Sequence, residues 1–326
     1  MNIWRLPIDG ATGKARGEPV PVMQSTEDVG QFDVGPEGQL VFASSSVSYA
    51  LERVPWDIAA AKITGSPVTV LETSRALVSL SASPDERWLA IWAQDRFEDL
   101  FVAAADGTKL RRLTDDTFRD RGPVWGPDSE TIYTYSDRGG RYEVWRIRRD
   151  GSGLEQVTAT EGEIVTQQLV SPDGTRMKVV HGRKLALADL TGSLPVSEFR
   201  ELPPPEGIDF FATAWSPDGT RMVGVQQTTG EEATSTWILS VDDGSYRKVA
   251  DGIAVIAWPS ERRLLGLTDP DLDLVVVDPQ TGESQPVSGF TGEIGQIVAT
   301  PGSIFNRRTR TQGDIWMLAP PAPTGS

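Results

Sequence analysis

The 326-residue sequence contains no cysteine. Disulfides, thiolate nucleophiles and cysteine-ligated zinc are therefore excluded. It contains a single histidine, His181. One imidazole cannot build a His-rich metal site, and general acid–base chemistry near neutral pH most often uses imidazole. His181 follows Met177-Lys178-Val179-Val180 and reads as a turn or rim residue. No stretch approaches the ~20 apolar residues that a membrane helix needs. The start, Met1 to Pro7, has no apolar core of signal-peptide length. No segment sustains a helical period, so almost no helix is expected. Basic residues are in the minority, 31 against 46 acidic, for a net charge of −15. That balance argues against nucleic acid and anionic membrane surfaces as partners. It reads first as solvation of a large surface.

What the chain has instead is a repeat. Pro36, Pro84, Pro127, Pro172, Pro217, Pro259 and Pro301 recur at gaps of 48, 43, 45, 45, 42 and 42 residues. Most sit in a turn such as Ser171-Pro172-Asp173-Gly174 or Ser216-Pro217-Asp218-Gly219. Trp258-Pro259-Ser260 and Thr300-Pro301-Gly302 are degraded copies. In the third unit, Pro123-Val124-Trp125 leads into the turn, where Pro presets φ and Asp bonds its own backbone. Thr131 to Tyr135 is rich in β-branched and aromatic residues, as a strand should be. Ser136 to Gly140 reads as a hairpin turn. Tyr142 to Ile147 alternates apolar and polar residues, and Leu154 to Thr158 supplies a fourth strand. Four antiparallel strands, a to d from the inside out, make one blade of a β-propeller.

The expectation is an all-β chain with seven four-stranded blades, eight or six being the alternatives. Residues 1–318 form one domain, and the Pro-rich segment 319–326 reads as a flexible tail. The last unit offers a, b and c strands at Gly295–Ile297, Ser303–Phe305 and Asp314–Leu318. Its outer strand is expected from the N-terminus, at Glu18–Val22, which closes the ring and removes the free sheet edges. Asn2 to Ile8 also looks like a c strand, a duplicate that leaves open a longer original chain.

The Ser-Pro-Asp-Gly turn, preceded by Trp and followed by a Trp-containing strand, resembles the PD40 repeat of TolB-like propellers over residues 29–318. Asn2-Ile3-Trp4-Arg5-Leu6-Pro7-Ile8-Asp9 with Gly17-Glu18-Pro19 resembles the propellers attached to bacterial serine/threonine kinases. That likeness implies a sensory or protein-binding module within a larger signalling protein. The compartment is then cytoplasmic if this is the whole chain, and extracytoplasmic if it was cut from a membrane-bound kinase. Similar blades also cap prolyl-oligopeptidase-like peptidases. The sequence departs from both enzyme contexts, having neither a kinase Gly-rich or catalytic-loop pattern nor a Gly-X-Ser-X-Gly elbow.

Function on this fold is expected on the loops. The d–a and b–c loops gather on one face, and their aromatic and Arg residues fit a protein- or peptide-binding surface. The candidates are Arg96, Phe97, Phe118, Arg119, Arg121, Arg138, Arg141, Phe210 and Phe211. The opposing reading has Phe118, Phe210 and Phe211 plugging the channel or packing between blades. Asp269, Asp271 and Asp273 present alternate carboxylates that suit Ca²⁺, although the position is equally a b–c hairpin where Asp and Pro belong. No cofactor is expected otherwise. Arg307 to Arg310 is the one basic run and reads as a b–c hairpin. Most tryptophans recur at fixed blade positions and read as packing, with Trp56 and Trp92 off the pattern. A monomer is expected. The readings left open are a module binding a protein or ligand, a metal-dependent lyase or lactonase, and a peptidase-associated propeller.

Overall fold

The computed structural model describes residues 2–24, 28–36, 39–94, 97–226, 234–291 and 293–318. These contain 28 strands and no helix. They divide into two compact units, one running to Ser48 and resuming at Thr309, the other spanning Tyr49–Arg308.

In the first unit β1 (Asn2–Arg5) pairs antiparallel with β2 (Val20–Gln24), and β3 (Asp28–Val34) with the first part of β4 (Leu40–Asp57). Val29, Leu40 and Phe42 form its small core, with Ile3, Met23 and Leu318 packed against them.

The second unit is a ring of blades. β5 (Lys62–Ile63) and β6 (Val68–Thr73) both pair with β4. Five blades then follow in chain order. Blade 1 is β7 (Ala76–Ala82), β8 (Trp88–Gln94), β9 (Glu98–Ala104) and β10 (Arg111–Arg112). Blade 2 is β11 (Asp120–Trp125), β12 (Thr131–Ser136), β13 (Glu143–Arg148) and β14 (Glu155–Gln156). Blade 3 is β15 (Val165–Val170), β16 (Arg176–His181), β17 (Lys184–Asp189) and β18 (Arg200–Glu201). Blade 4 is β19 (Phe210–Trp215), β20 (Arg221–Gln226), β21 (Ser235–Ser240) and β22 (Tyr246–Asp251). Blade 5 is β23 (Ile253–Ser260), β24 (Arg263–Thr268), β25 (Leu274–Val277) and β26 (Ser284–Pro286). The sixth blade joins the two ends of the unit: β27 (Gln296–Ala299), residues 303–308 of β28 (Ser303–Leu318), residues 49–57 of β4, and β6.

Four-stranded antiparallel blades are as the repeat predicted, but the ring has six of them, not seven. The expected b–c hairpin over Arg307–Arg310 is absent, because β28 runs straight through it to Leu318. β4 likewise runs unbroken for 18 residues. Neither stretch has a residue that takes φ > 0 readily where a hairpin would fold: Leu40 to Arg53 and Arg307 to Gln312 hold no Gly, Asn or Asp, and no Pro. Without a residue that takes φ > 0 cheaply, a two-stranded reversal is disfavoured and the strand continues. The two b–c pairs expected in the first and last units are therefore undone. The ring closes with two strands from each end, and the proposed outer strand over Glu18–Val22 belongs instead to the β1–β2 pair.

The repeated turn is held by its own side chains. Ser171 Oγ donates to Asp173 Oδ1 at 2.5 Å, and Ser216 Oγ to Asp218 Oδ1 at 2.6 Å. The same hydroxyls accept from the amides of Arg176 and Arg221, both at 2.9 Å. Gly174 and Gly219 complete the turns at φ of 74° and 69°, the left-handed region that glycine adopts without Cβ strain. Tryptophans at the ends of two inner strands tie blades 2 and 4 to the blade before each. Trp125 Nε1 donates to Ser81 O at 3.0 Å and Trp215 Nε1 to Leu169 O at 2.9 Å. The Arg176 and Arg221 guanidinium groups lie 5.6 and 5.0 Å from the rings of Trp215 and Trp258 on the next blade. Trp56, off the pattern in sequence, joins the two chain ends within the sixth blade, donating to Thr300 O at 3.0 Å.

Candidate functional site

Two places on the ring gather chemistry: a charged loop cluster where blades 1 and 2 meet, and the central channel. The cluster brings together the d–a and b–c loops, as their positions in the repeat imply. Arg138, in the β12–β13 turn, has a side chain only 8% exposed. Its Nη2 donates to both carboxylate oxygens of Asp120 at 2.7 Å, its Nη1 to Asp116 Oδ2 at 3.1 Å, and its Nε to Ser136 Oγ at 3.1 Å. The Asp120 side chain is fully buried. A buried carboxylate needs such a partner, since an unpaired charge costs several kcal/mol in a protein interior. The Arg138 guanidinium also lies 5.4 Å from the Phe118 ring and 5.5 Å from that of Trp145.

Arg121 pairs with Glu98 through Nε and, at 2.7 Å, through Nη2. Its guanidinium lies 5.6 Å from the Trp92 ring and 5.2 Å from that of Tyr142. The hydrogen bonds that Arg121 donates to the Glu98 carboxylate raise its pKa further, so this cation is permanent. Arg112 Nη2 bonds Asp99 Oδ2 at 2.5 Å. Burial nonetheless raises the Asp99 pKa, and Asp99 Oδ1 has no partner.

The sequence candidates divide accordingly. Phe118 is 39% exposed and Arg119 59%. The Arg119 amide donates to Asp137 Oδ1 at 2.9 Å, and its side chain faces Asp137 Oδ2 at 3.7 Å. Arg141 is exposed, within 3.4 Å of Thr160 O. Phe97 is half-buried beside this cluster. Arg121 and Arg138 are spent on internal ion pairs. Phe210 is core, packed edge-on against Tyr246 at 5.2 Å. Phe211 lines the channel. Arg96 lies outside the described residues. Asp269 accepts from Thr234 Oγ1 at 2.9 Å, while Asp271 and Asp273 are exposed. Among the described residues no three His, Asp or Glu side chains cluster as a metal ion would require. The His181 ring lies against Phe199 at 5.0 Å.

The channel is a cavity of about 720 Å³ walled by all six inner strands. Each blade contributes, for example through Ser79, Gly122, Gln168, Thr213, Ile256 and Ile297. In the five inner strands of blades 1 to 5 the pairing shifts register near these positions, at a β-bulge. Such bulges bend the strand and re-aim its side chains. Trp92 and Tyr135 line the same space from second strands. So does Lys178, which stands on β16 and not on the loops where function was expected. It is 1% exposed, and its one hydrogen bond runs from Nζ to Gln167 O at 2.9 Å. Burial alone pushes its pKa down to about 7.

Residues 58–197, which include blades 1 and 2, match the family model described as the TolB β-propeller domain. Over those residues the ring is similar to a TolB propeller. A structure described as a TolB candidate from Agrobacterium tumefaciens superposes with a TM-score of 0.60 at 14% identity, covering 82% of this chain and 99% of that one. An oligogalacturonate lyase from Vibrio parahaemolyticus superposes at 0.50 and 12% identity, covering 94% and 96%. Both likenesses concern the fold. An uncharacterized protein of Agrobacterium fabrum is 37% identical over 65 residues. That stretch is 20% of this chain and spans 22% of the curated relative's length.

Proposed function

We propose that the propeller is a non-catalytic recognition module that binds a protein or peptide on the d–a/b–c loop face, as part of a larger bacterial signalling protein. The observation that carries this reading is the Arg138 lattice. Asp116, Asp120 and Ser136 lock the guanidinium, which in turn backs the half-exposed ring of Phe118. Arg119 stands beside it, largely exposed. A rigid aromatic next to an exposed Arg is the composition of interface anchors, and rigidity lowers the entropic cost of docking.

The test is affinity purification from a bacterial lysate with the wild-type chain and with Phe118→Ala/Arg119→Ala. The reading expects a partner enriched at least tenfold on wild type and lost from the double variant at unchanged thermal stability. Equal recovery of the same partners on both would overturn it.

A further inference from the structure

Lys178 occupies a position at which the other five blades place apolar or aromatic core. It pairs in register with Leu169 on the inner strand. The equivalent residues are Ala90, Tyr133, Val223, Leu265 and Phe305, paired with Ser81, Val124, Ala214, Ala257 and Val298. All five are buried. An ammonium group has three donors, and this one meets a single carbonyl. Among the described residues no carboxylate lies within ion-pair distance of Nζ, whose hydrogen bond goes to the Gln167 carbonyl. Gln167, whose carbonyl it bonds, sits at φ 55° in the bulge of β15, a conformation uncommon for a non-glycine residue. Next to it, Gln168 is 2% exposed. Its Nε2 donates to Gly122 O and Tyr133 O while its Oε1 has no partner. Lys178, Gln167 and Gln168 all line the channel.

The other walls are chiefly apolar. The Phe211 ring lies 5.2 Å from Lys178 Nζ, and Trp92, Ile256, Ile297 and Val298 border the same space. At about 720 Å³ the cavity is within the range of small-molecule sites. A buried amine with no counter-charge among the described residues, on the wall of an apolar chamber, suits one kind of occupant. We infer that the channel binds a small organic monocarboxylate with an aromatic or aliphatic body, whose carboxylate pairs with Lys178 Nζ. The carboxylate supplies the missing acceptors and counter-charge, and the body covers Phe211 and Trp92. This site is separate from the loop face and does not depend on the reading given for it.

The probes are benzoate and indole-3-acetate, with methyl benzoate as the neutral control, titrated calorimetrically into the wild-type chain and into Lys178→Met. Methionine matches the apolar character of the equivalent positions, so the variant is expected to fold, with the melting curve as the check. At pH 8 at least one of the two acids is expected to bind saturably with uptake of about one proton, read from the heats in buffers of different ionisation enthalpy. Affinity is expected to fall at least tenfold for the methyl ester and for the folded variant. Absence of saturable binding by both acids, or equal affinity for the methyl ester or in the folded variant, would each overturn the inference.

Discussion

Replacing Lys178 by methionine is expected to stabilise the protein, by an amount that depends on pH in a defined way. The folded state lowers the Lys178 pKa from 10.5 to about 7 through burial. The unfolded chain therefore binds more protons than the native one between these values, and native stability rises with pH across that window. Below about pH 7 lysine is charged in both states and the full penalty applies. Above about pH 10.5 it is neutral in both and the penalty is gone. At about 1.4 kcal/mol per pH unit, the shift is worth about 5 kcal/mol. That is an upper figure, because water admitted to the channel would lessen it. The assay is urea unfolding of wild type and Lys178→Met at half-unit steps from pH 6 to pH 10. The variant is expected to be more stable by a few kcal/mol at pH 6, with the advantage shrinking toward zero by pH 10. A difference that stays flat with pH would refute the reasoning, since it would mean that Lys178 keeps an ordinary pKa in the native state.

Four further outcomes follow from the same geometry. Arg138→Met leaves the buried Asp120 carboxylate without its partner and is expected to cost about 3–5 kcal/mol by denaturant unfolding. Ser171→Ala removes the acceptor for the Arg176 amide and the donor to Asp173, and is expected to cost about 1–2 kcal/mol in the same assay. The Ser171 hydroxyl, with the Thr175 amide, holds Asp173 at about 2 against an ordinary 3.8. That contribution is present above pH 3.8 and fades as pH falls through about 2, so the Ser171→Ala deficit should narrow in strong acid, as followed by circular dichroism. Trp125→Phe deletes the bond to Ser81 O between blades 1 and 2 and is expected to lower the melting temperature by a few degrees, about 1–2 kcal/mol.

The loop cluster was half legible in the sequence. Arg121 and Arg138 were singled out by residue type, which marks them equally as interface anchors or as internal ion-pair partners. Their fate turns on Glu98, Asp116 and Asp120, brought within reach only when the b–c turns fold against the d–a loops. Phe210 and Phe211, adjacent in sequence, part company because successive strand residues face opposite sides: one enters the blade core, the other the channel. Lys178 left a signal that was there to read. Aligning Arg176-Met177-Lys178 with Arg221-Met222-Val223 puts a charge where its sister blade has valine.

The repeat of Pro-Asp turns and short β-rich segments determined by itself that the chain folds into four-stranded antiparallel blades, because turn chemistry and strand alternation act within a few residues. It also determined where the blade-joining tryptophans fall. The number of blades was decided elsewhere. Closing a ring pairs strands about 250 residues apart, as where Arg53 Nε meets Ser303 Oγ at 2.9 Å. Local preference says only whether a hairpin can form, and in β4 and β28 it lacked the residues to form one. Those strands ran on, met each other, and closed the ring at six. The same closure places Lys178, Gln168 and Phe211 around one chamber, a juxtaposition that no stretch of the sequence contains.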